Sequence, residues 1–124
     1  MTFRADAEQT GMTAVLRMAG DLDATADTAL LAAHATAIAD DPRTLRLDFS
    51  DVDYINSSGI ALIVTLLTEA RSSGRRVRAT GLSAHYRHIF EITRLSDYLT
   101  FDDDGDGGST DDAPAGATGG ATRG

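Results

Sequence analysis

The feature that most constrains the fold is a strand followed almost at once by an unusually apolar helix. Residues 44–49 read TLRLDF, and their strict alternation of apolar and polar side chains is typical of a strand with one buried face. After a short polar stretch, residues 60–71 are apolar at helical spacing and end in Ser72-Ser73-Gly74. Because such a helix must be covered by the sheet to which the strand belongs, this unit predicts an α/β domain.

The other segments repeat this alternation of strands and helices. The further predicted elements are strands at 3–8 and 14–18, a helix at 24–40, a strand at 76–80, a helix at 84–93 and a short strand at 98–101. The order ββαβαβαβ predicts a mixed β-sheet of about four or five strands, with helices packed on it and parallel crossover connections.

The composition changes sharply after Phe101. Residues 102–124 contain six Asp, many Gly and no large apolar side chain, so they cannot bury enough surface to offset their ordering entropy. We expect one domain over 1–101 and a disordered acidic tail over 102–124. The tail supplies −5 of the net charge of −8 (six Asp and Arg123), which leaves −3 for the domain.

The composition of the chain excludes several kinds of site and several classes of protein. The chain has no cysteine, which rules out disulfides, thiolate metal sites and a cysteine nucleophile. Its first ten residues have no apolar signal core, and its longest apolar run, Ile60–Val64, is far too short for a membrane span. The domain lacks the basic face that nucleic-acid binding requires, and we interpret Arg75, Arg76 and Arg78 as a basic loop. We expect a cytoplasmic protein without membrane or direct nucleic-acid partners.

The junction between the central strand and its helix is the strongest candidate site. It reads Asn56-Ser57-Ser58-Gly59. Asn and Ser are good N-cap residues, so a simple cap and turn is one interpretation. The other is a phosphoryl site, because a helix N-terminus offers free N–H groups and a partial positive charge.

The helix that follows has more apolar surface than one face can hold. Ile60, Ile63, Val64 and Leu67 form one stripe at helical spacing, and Leu62 and Leu66 lie off it. The residues off the stripe either pack on neighbouring helices or are exposed for a partner protein.

Three other groupings resemble ligand sites. Asp21 and Asp23 follow the second strand, where paired carboxylates bind metal or serve as cap and loop charge. His85 and His88 have the spacing of two metal ligands on one helix face, but no third ligand is nearby. Residues 102–107 match the first half of a calcium loop, but the twelfth position is Ala113 instead of Glu. We therefore expect no metal and no other cofactor.

Taken together, these residues resemble the STAS family, specifically the bacterial anti-sigma factor antagonists. The similarity extends from about Val15 to Phe101. It rests on three stretches: Gly20-Asp21-Leu22-Asp23, residues 47–60 with the run Asn56-Ser57-Ser58-Gly59-Ile60, and a C-terminal helix pattern over 81–83 and 89–95. The middle stretch is the most specific. It departs from the family pattern at Asn56, where an Asp often precedes the acceptor serine.

The resemblance implies a mixed β-sheet faced by helices and a regulatory function without catalysis. Such antagonists bind an anti-sigma factor, often itself a serine kinase, and thereby release a sigma factor. Phosphorylation of the antagonist ends the complex, and a phosphatase restores it. By motif position the acceptor is Ser57, in a loop shaped by Asn56, Ser58 and Gly59. The residues that we expect to contribute to partner binding are Asp21, Asp23, Ile60, Leu62 and Leu66. The alternative is a STAS module that is not phosphorylated and acts as a scaffold, or as a ligand-binding module, in a signalling or transport complex.

Overall fold

A computed structural model describes residues 2–102. The strands are β1 (Arg4–Thr10), β2 (Thr13–Leu22), β3 (Thr44–Ile55), β4 (Arg76–Thr80) and β5 (Thr100–Asp102). The helices are α1 (Asp27–Ala37), α2 (Ser57–Ser72) and α3 (Ala84–Ile92), with single 3₁₀ turns at Ala24–Ala26 and Leu95–Asp97. The predicted order ββαβαβαβ and the α/β class are confirmed.

The five strands form one mixed sheet in the order β1-β2-β3-β4-β5. β1 and β2 are an antiparallel hairpin, and β2 through β5 run parallel to one another. The parallel direction brings the carboxyl ends of these four strands to one edge of the sheet, here called the carboxyl edge. The beginnings of β3 and β4 lie at the opposite, amino edge.

The two faces of the sheet differ in chemistry because side chains alternate along each strand. The core side chains of β2, β3 and β4 include Ala14, Leu16, Met18, Leu45, Leu47, Phe49, Val77 and Ala79. They pack in one cluster with helix residues such as Leu30 of α1 and Phe90 of α3. The Phe90 ring meets Phe49 edge to face at a centroid distance of 5.8 Å. The other face carries ion pairs, including Glu8 with Arg17 and Asp102 with Arg78.

Two strands are longer than the alternation predicts. β2 continues past Gly20 to Leu22, and β3 continues past Phe49 to Ile55. The register between β2 and β3 shifts twice over this stretch, between Arg17 and Ala19 and again at Gly20/Asp21. Each shift interrupts the alternation of apolar and polar side chains along the strand. The strands therefore stay paired through their backbones beyond the point where the alternation in the sequence ends.

Two predictions about charged residues are wrong. Arg75 is buried instead of lying in a basic loop, and its guanidinium donates to the Pro42 carbonyl and to the carboxylates of Glu69 and Asp41, each at 3.0 Å. Asp102, which the composition assigns to the tail, is the last residue of β5 and pairs with Arg78. An ion pair thus extends the domain one residue beyond its last large apolar side chain. The rest of the predicted tail lies outside the described residues.

None of the helices within residues 2–102 is both long enough and apolar enough to cross a bilayer.

Candidate functional site

The end of β3 is held on both sides. The Ile55 N–H donates to the Tyr86 hydroxyl of α3 at 3.0 Å, and the Asn56 N–H donates to the Leu22 carbonyl of β2 at 3.3 Å. These bonds fix the backbone where the chain leaves the sheet. The start of α2 is therefore positioned by both neighbouring elements.

Asn56 is the N-cap of α2. Its backbone is extended, its side-chain oxygen accepts the Gly59 N–H at 3.0 Å, and its carbonyl accepts the Ile60 N–H at 2.9 Å. The predicted cap is confirmed, but the helix begins at Ser57, three residues before the apolar run begins. The first turn has no large apolar side chain, and the Asn56 side chain satisfies one of its free N–H groups, that of Gly59.

Ser57 and Ser58 are exposed in the first turn of α2. Backbone N–H groups at this position have no acceptor within the helix, and they carry the positive end of its dipole. A phosphoryl group on either hydroxyl would lie in that field. The sequence prediction that Ser57 stands at a helix N-terminus is thus confirmed.

Gly59 is buried because α2 approaches β2 very closely at this point. A Cβ added to Gly59 would lie 1.9 Å from the Leu22 carbonyl oxygen. Only glycine allows this approach. The resemblance implies that Gly59 shapes the loop. In the structure, glycine is needed at this position because the start of α2 touches the backbone of β2.

Asp21 and Asp23 lie at the same carboxyl edge as Ser57. Asp21 is opposite Tyr54 of β3 in the sheet register, and Leu22 is opposite Ile55. Asp23 caps the 3₁₀ turn before α1, since its carboxylate accepts the Thr25 N–H at 2.9 Å and the Thr25 hydroxyl at 2.6 Å. These hydrogen bonds, the one from the hydroxyl foremost, lower the pKa of Asp23. The edge therefore carries a negative charge near the start of α2.

One predicted partner residue is wrongly placed. Leu66 is 1% exposed and belongs to the core, whereas Val64, predicted on the buried stripe, is 41% exposed. Ile60 and Leu62 are half-buried and pack against the core. The buried residues of α2 are Gly59, Ile63, Leu66, Leu67 and Ala70. The buried side of α2 therefore differs from the stripe predicted from the sequence. Its first residue is Gly59, which has no apolar side chain and so does not contribute to an apolar pattern.

From Ser57 to Thr68 the opposite side of the helix, here called the α2 outer face, is exposed and uncharged. Its members are Ser57, Ser58, Ala61, Val64, Thr65 and Thr68. The Thr65 hydroxyl donates to the Ala61 carbonyl at 3.2 Å, and the Thr68 hydroxyl donates to the Val64 carbonyl at 2.9 Å. Because these hydroxyl protons are engaged within the helix, the outer face presents mainly methyl groups to a neighbour. It begins at Ser57.

A hollow of about 220 Å³ lies beside the junction, between the end of β3 and α3. Ser50, Asp53, Ser83 and Tyr86 supply its polar groups, and its apolar lining includes Phe49, Val52 and Leu82. The hollow is smaller than the roughly 300 Å³ at which ligand pockets usually begin. His85 and His88 are exposed on α3, away from any third ligand. Across residues 2–102, no three His, Asp or Glu side chains are grouped closely enough to hold a metal ion.

The structure is a small α/β domain with an exposed serine at a helix N-terminus. The family model described as "Mlab, STAS domain" matches residues 5–100, and the chain belongs to this family.

The chain is also similar to individual proteins. The chain is 24% identical over 108 residues to the anti-sigma-B factor antagonist of Bacillus subtilis (strain 168), covering 87% of this chain and 98% of that protein. It resembles SpoIIAA, a Bacillus cell fate determinant solved in its phosphorylated form, with 25% identity and a TM-score of 0.62 over 78% of this chain and 89% of that one. An anti-sigma factor antagonist from Mycobacterium paratuberculosis shares the fold at 23% identity, with a TM-score of 0.65 over 81% of this chain and 85% of that one.

Proposed function

We propose that this chain is an anti-sigma factor antagonist that is switched by phosphorylation of Ser57. It acts in the cytoplasm as a regulatory binding protein and not as an enzyme. Unphosphorylated, it binds an anti-sigma factor with serine kinase activity, and the sigma factor is released. Phosphorylation of Ser57 ends that complex, and a phosphatase restores it. The family membership and the similarity to named antagonists, one of them solved in a phosphorylated form, support this function.

The observation that carries the proposal is the position of the Ser57 hydroxyl. It is exposed at the first residue of α2, where the uncharged α2 outer face begins. A kinase reaches the hydroxyl without unfolding the domain, and a protein docked on the outer face covers the same hydroxyl. Modification and binding therefore compete for one surface.

Charge explains why the phosphorylated form would leave its partner. A phosphoserine adds about −1.5 to −2 charges at neutral pH. On the outer face it would have to lose its water inside a mostly apolar interface, at the same edge of the sheet as the carboxylate of Asp23. To change the complex from mostly bound to mostly free, it must weaken binding by about 3–5 kcal/mol.

Phosphorylation mapping tests the assignment of the acceptor. The chain is incubated with an anti-sigma factor kinase and ATP, and the modified residue is located by mass spectrometry in wild type, Ser57→Ala and Ser58→Ala. We expect phosphate on wild type and on Ser58→Ala, with none on Ser57→Ala. Ser58 is the matched control because it is also exposed, in the same helical turn. Phosphate that persists on Ser57→Ala would refute the assignment.

A scaffold without phosphorylation is the second candidate, and one residue favours it. The residue before the acceptor is Asn56, where the family often has Asp. Asn keeps the helix cap but lacks the negative charge that an Asp would place beside the acceptor serine. This candidate predicts that Ser57→Asp binds the same partners as wild type, whereas the switch predicts loss of binding.

A further inference from the structure

The amino edge of the sheet carries exposed side chains of the kinds that protein interfaces favour. Two apolar residues are exposed there, Met12 at 54% in the turn between β1 and β2 and Tyr98 at 48% before β5. Three exposed arginines lie between them: Arg43, Arg71 and Arg76. We call these five residues the amino-edge row. Arginine, tyrosine and methionine are enriched at protein interfaces, and arginine and tyrosine often dominate the binding energy.

Backbone hydrogen bonds fix the order of the row. The Met12 carbonyl accepts the Arg43 N–H at 2.8 Å, and the Arg43 carbonyl accepts the Arg76 N–H at 2.9 Å. The Arg71 guanidinium lies 5.1 Å from the centre of the Tyr98 ring, a cation–π contact that orients both side chains. The row crosses the beginnings of four parallel strands about 4.8 Å apart, so it is about 14 Å long. An extended segment of about four residues matches that length.

The three arginines of the row lack carboxylate partners. Within residues 2–102 none of them forms a salt bridge. Three nearby carboxylates are engaged with other arginines: Asp41 and Glu69 bind the buried Arg75, and Asp97 pairs with Arg94 at 3.0 Å. The row is therefore a local excess of positive charge on a chain whose net charge is −8.

The shape of this surface favours an extended partner over a single small anion. Two depressions meet at Arg76, one bordered by Arg43 and the other, of about 420 Å³, by Arg71 and Tyr98. A single phosphate would occupy only one of them, whereas carboxylates spaced along a segment reach both. Carboxylates also match the forked geometry of a guanidinium group.

We propose that the amino-edge row binds an acidic segment of a partner protein. Its carboxylates pair with the arginines, and its apolar side chains contact Met12 and Tyr98. Helix α2 begins with Ser57 at the carboxyl edge and has Arg71 in its last turn, so the two are about 21 Å apart along the helix. A partner segment on the row therefore leaves Ser57 uncovered, and the proposal does not depend on the function of Ser57.

NMR of the full chain with a short probe peptide tests this surface. The probe has three glutamates between two leucines, and the matched peptide has three glutamines in their place. We expect the acidic peptide to shift the backbone amides of Met12, Arg43, Tyr98 and residues 71–78, with no change at 56–60. The glutamine peptide, and inorganic phosphate at the same concentration, should give much smaller shifts. Equal shifts with either would overturn the proposal, because the row would then be an apolar contact or a simple anion site.

Charge variants test whether the arginines hold the peptide. Arg71→Gln/Arg76→Gln removes two cations of the row, and Arg4→Gln, an exposed arginine of β1, is the matched control. We expect the double variant to weaken the acidic peptide about tenfold, measured at Met12 and Arg43, and the control to bind like wild type. Unchanged affinity of the double variant would contradict the proposal. Shifts at the row that grow with the concentration of the chain alone would show that a second copy occupies it, which would also overturn the proposal.

Discussion

At the residue scale, Asn56 stabilises the start of α2, directly before Ser57. Its side chain satisfies the Gly59 N–H, and no other side chain within residues 2–102 caps this helix. We expect Asn56→Ala to lower the free energy of unfolding by about 1 kcal/mol. Asn56→Asp should be at least as stable as wild type, because a carboxylate accepts the same hydrogen bond and favours the positive end of the helix. Urea denaturation of the three proteins checks both expectations; an Asn56→Ala variant as stable as wild type would contradict the capping role.

His34 gives the domain a dependence on pH. It is 7% exposed, its Nε2 atom has no hydrogen-bond partner within the described residues, and it lies 3.8 Å from the nearer Glu69 oxygen. Burial lowers the pKa of His34, Glu69 partly opposes this, and Arg75 lowers the pKa further. A depressed pKa means that the unfolded chain binds the proton first as pH falls. The stability that comes from neutral His34 is therefore complete above the ordinary pKa of about 6.5 and is lost below it.

The matched variant for this effect is His34→Gln, which does not titrate. We expect the free energy of unfolding of wild type to fall more steeply than that of His34→Gln between about pH 7 and about pH 5. Denaturant titrations at several pH values measure both slopes. Parallel curves would show that His34 does not carry the pH dependence.

At the scale of single elements, the two sides of α2 have separate tasks. Leu66 fills the core and Val64 lies on the outer face. We expect Leu66→Ala to lower the free energy of unfolding by about 2–5 kcal/mol. Val64→Glu should change stability by about 0.5 kcal/mol or less, yet weaken binding of the anti-sigma factor. Denaturation and calorimetric binding of both variants check this; a Val64→Glu protein that binds like wild type would remove the outer face from the interface.

The sequence predicts the strands and helices better than it predicts which side of each helix is buried. The order of strands and helices, a cap at the start of α2 and the position of Ser57 at a helix N-terminus follow from local patterns, and the structure confirms them. The burial of Leu66 does not follow, because it depends on how closely α2 approaches β2, and that distance is set by the missing side chain of Gly59. The burial of Arg75 was equally invisible, since its partners Asp41 and Pro42 lie more than thirty residues away in sequence.

At the scale of the whole molecule, the sheet separates two kinds of surface. The carboxyl edge holds Ser57 with Asp21 and Asp23, next to an uncharged helix face. The amino edge carries the exposed arginines Arg43, Arg71 and Arg76. On the proposed function, a phosphoryl group acts at the first edge, where added negative charge opposes docking.

The most direct test compares the affinity of one anti-sigma factor for two forms of the chain. The chain is prepared unphosphorylated and quantitatively phosphorylated on Ser57, and both are titrated against the same anti-sigma factor by calorimetry. The account predicts that the dissociation constant rises at least about a hundredfold on phosphorylation. Equal affinities for the two forms would contradict it.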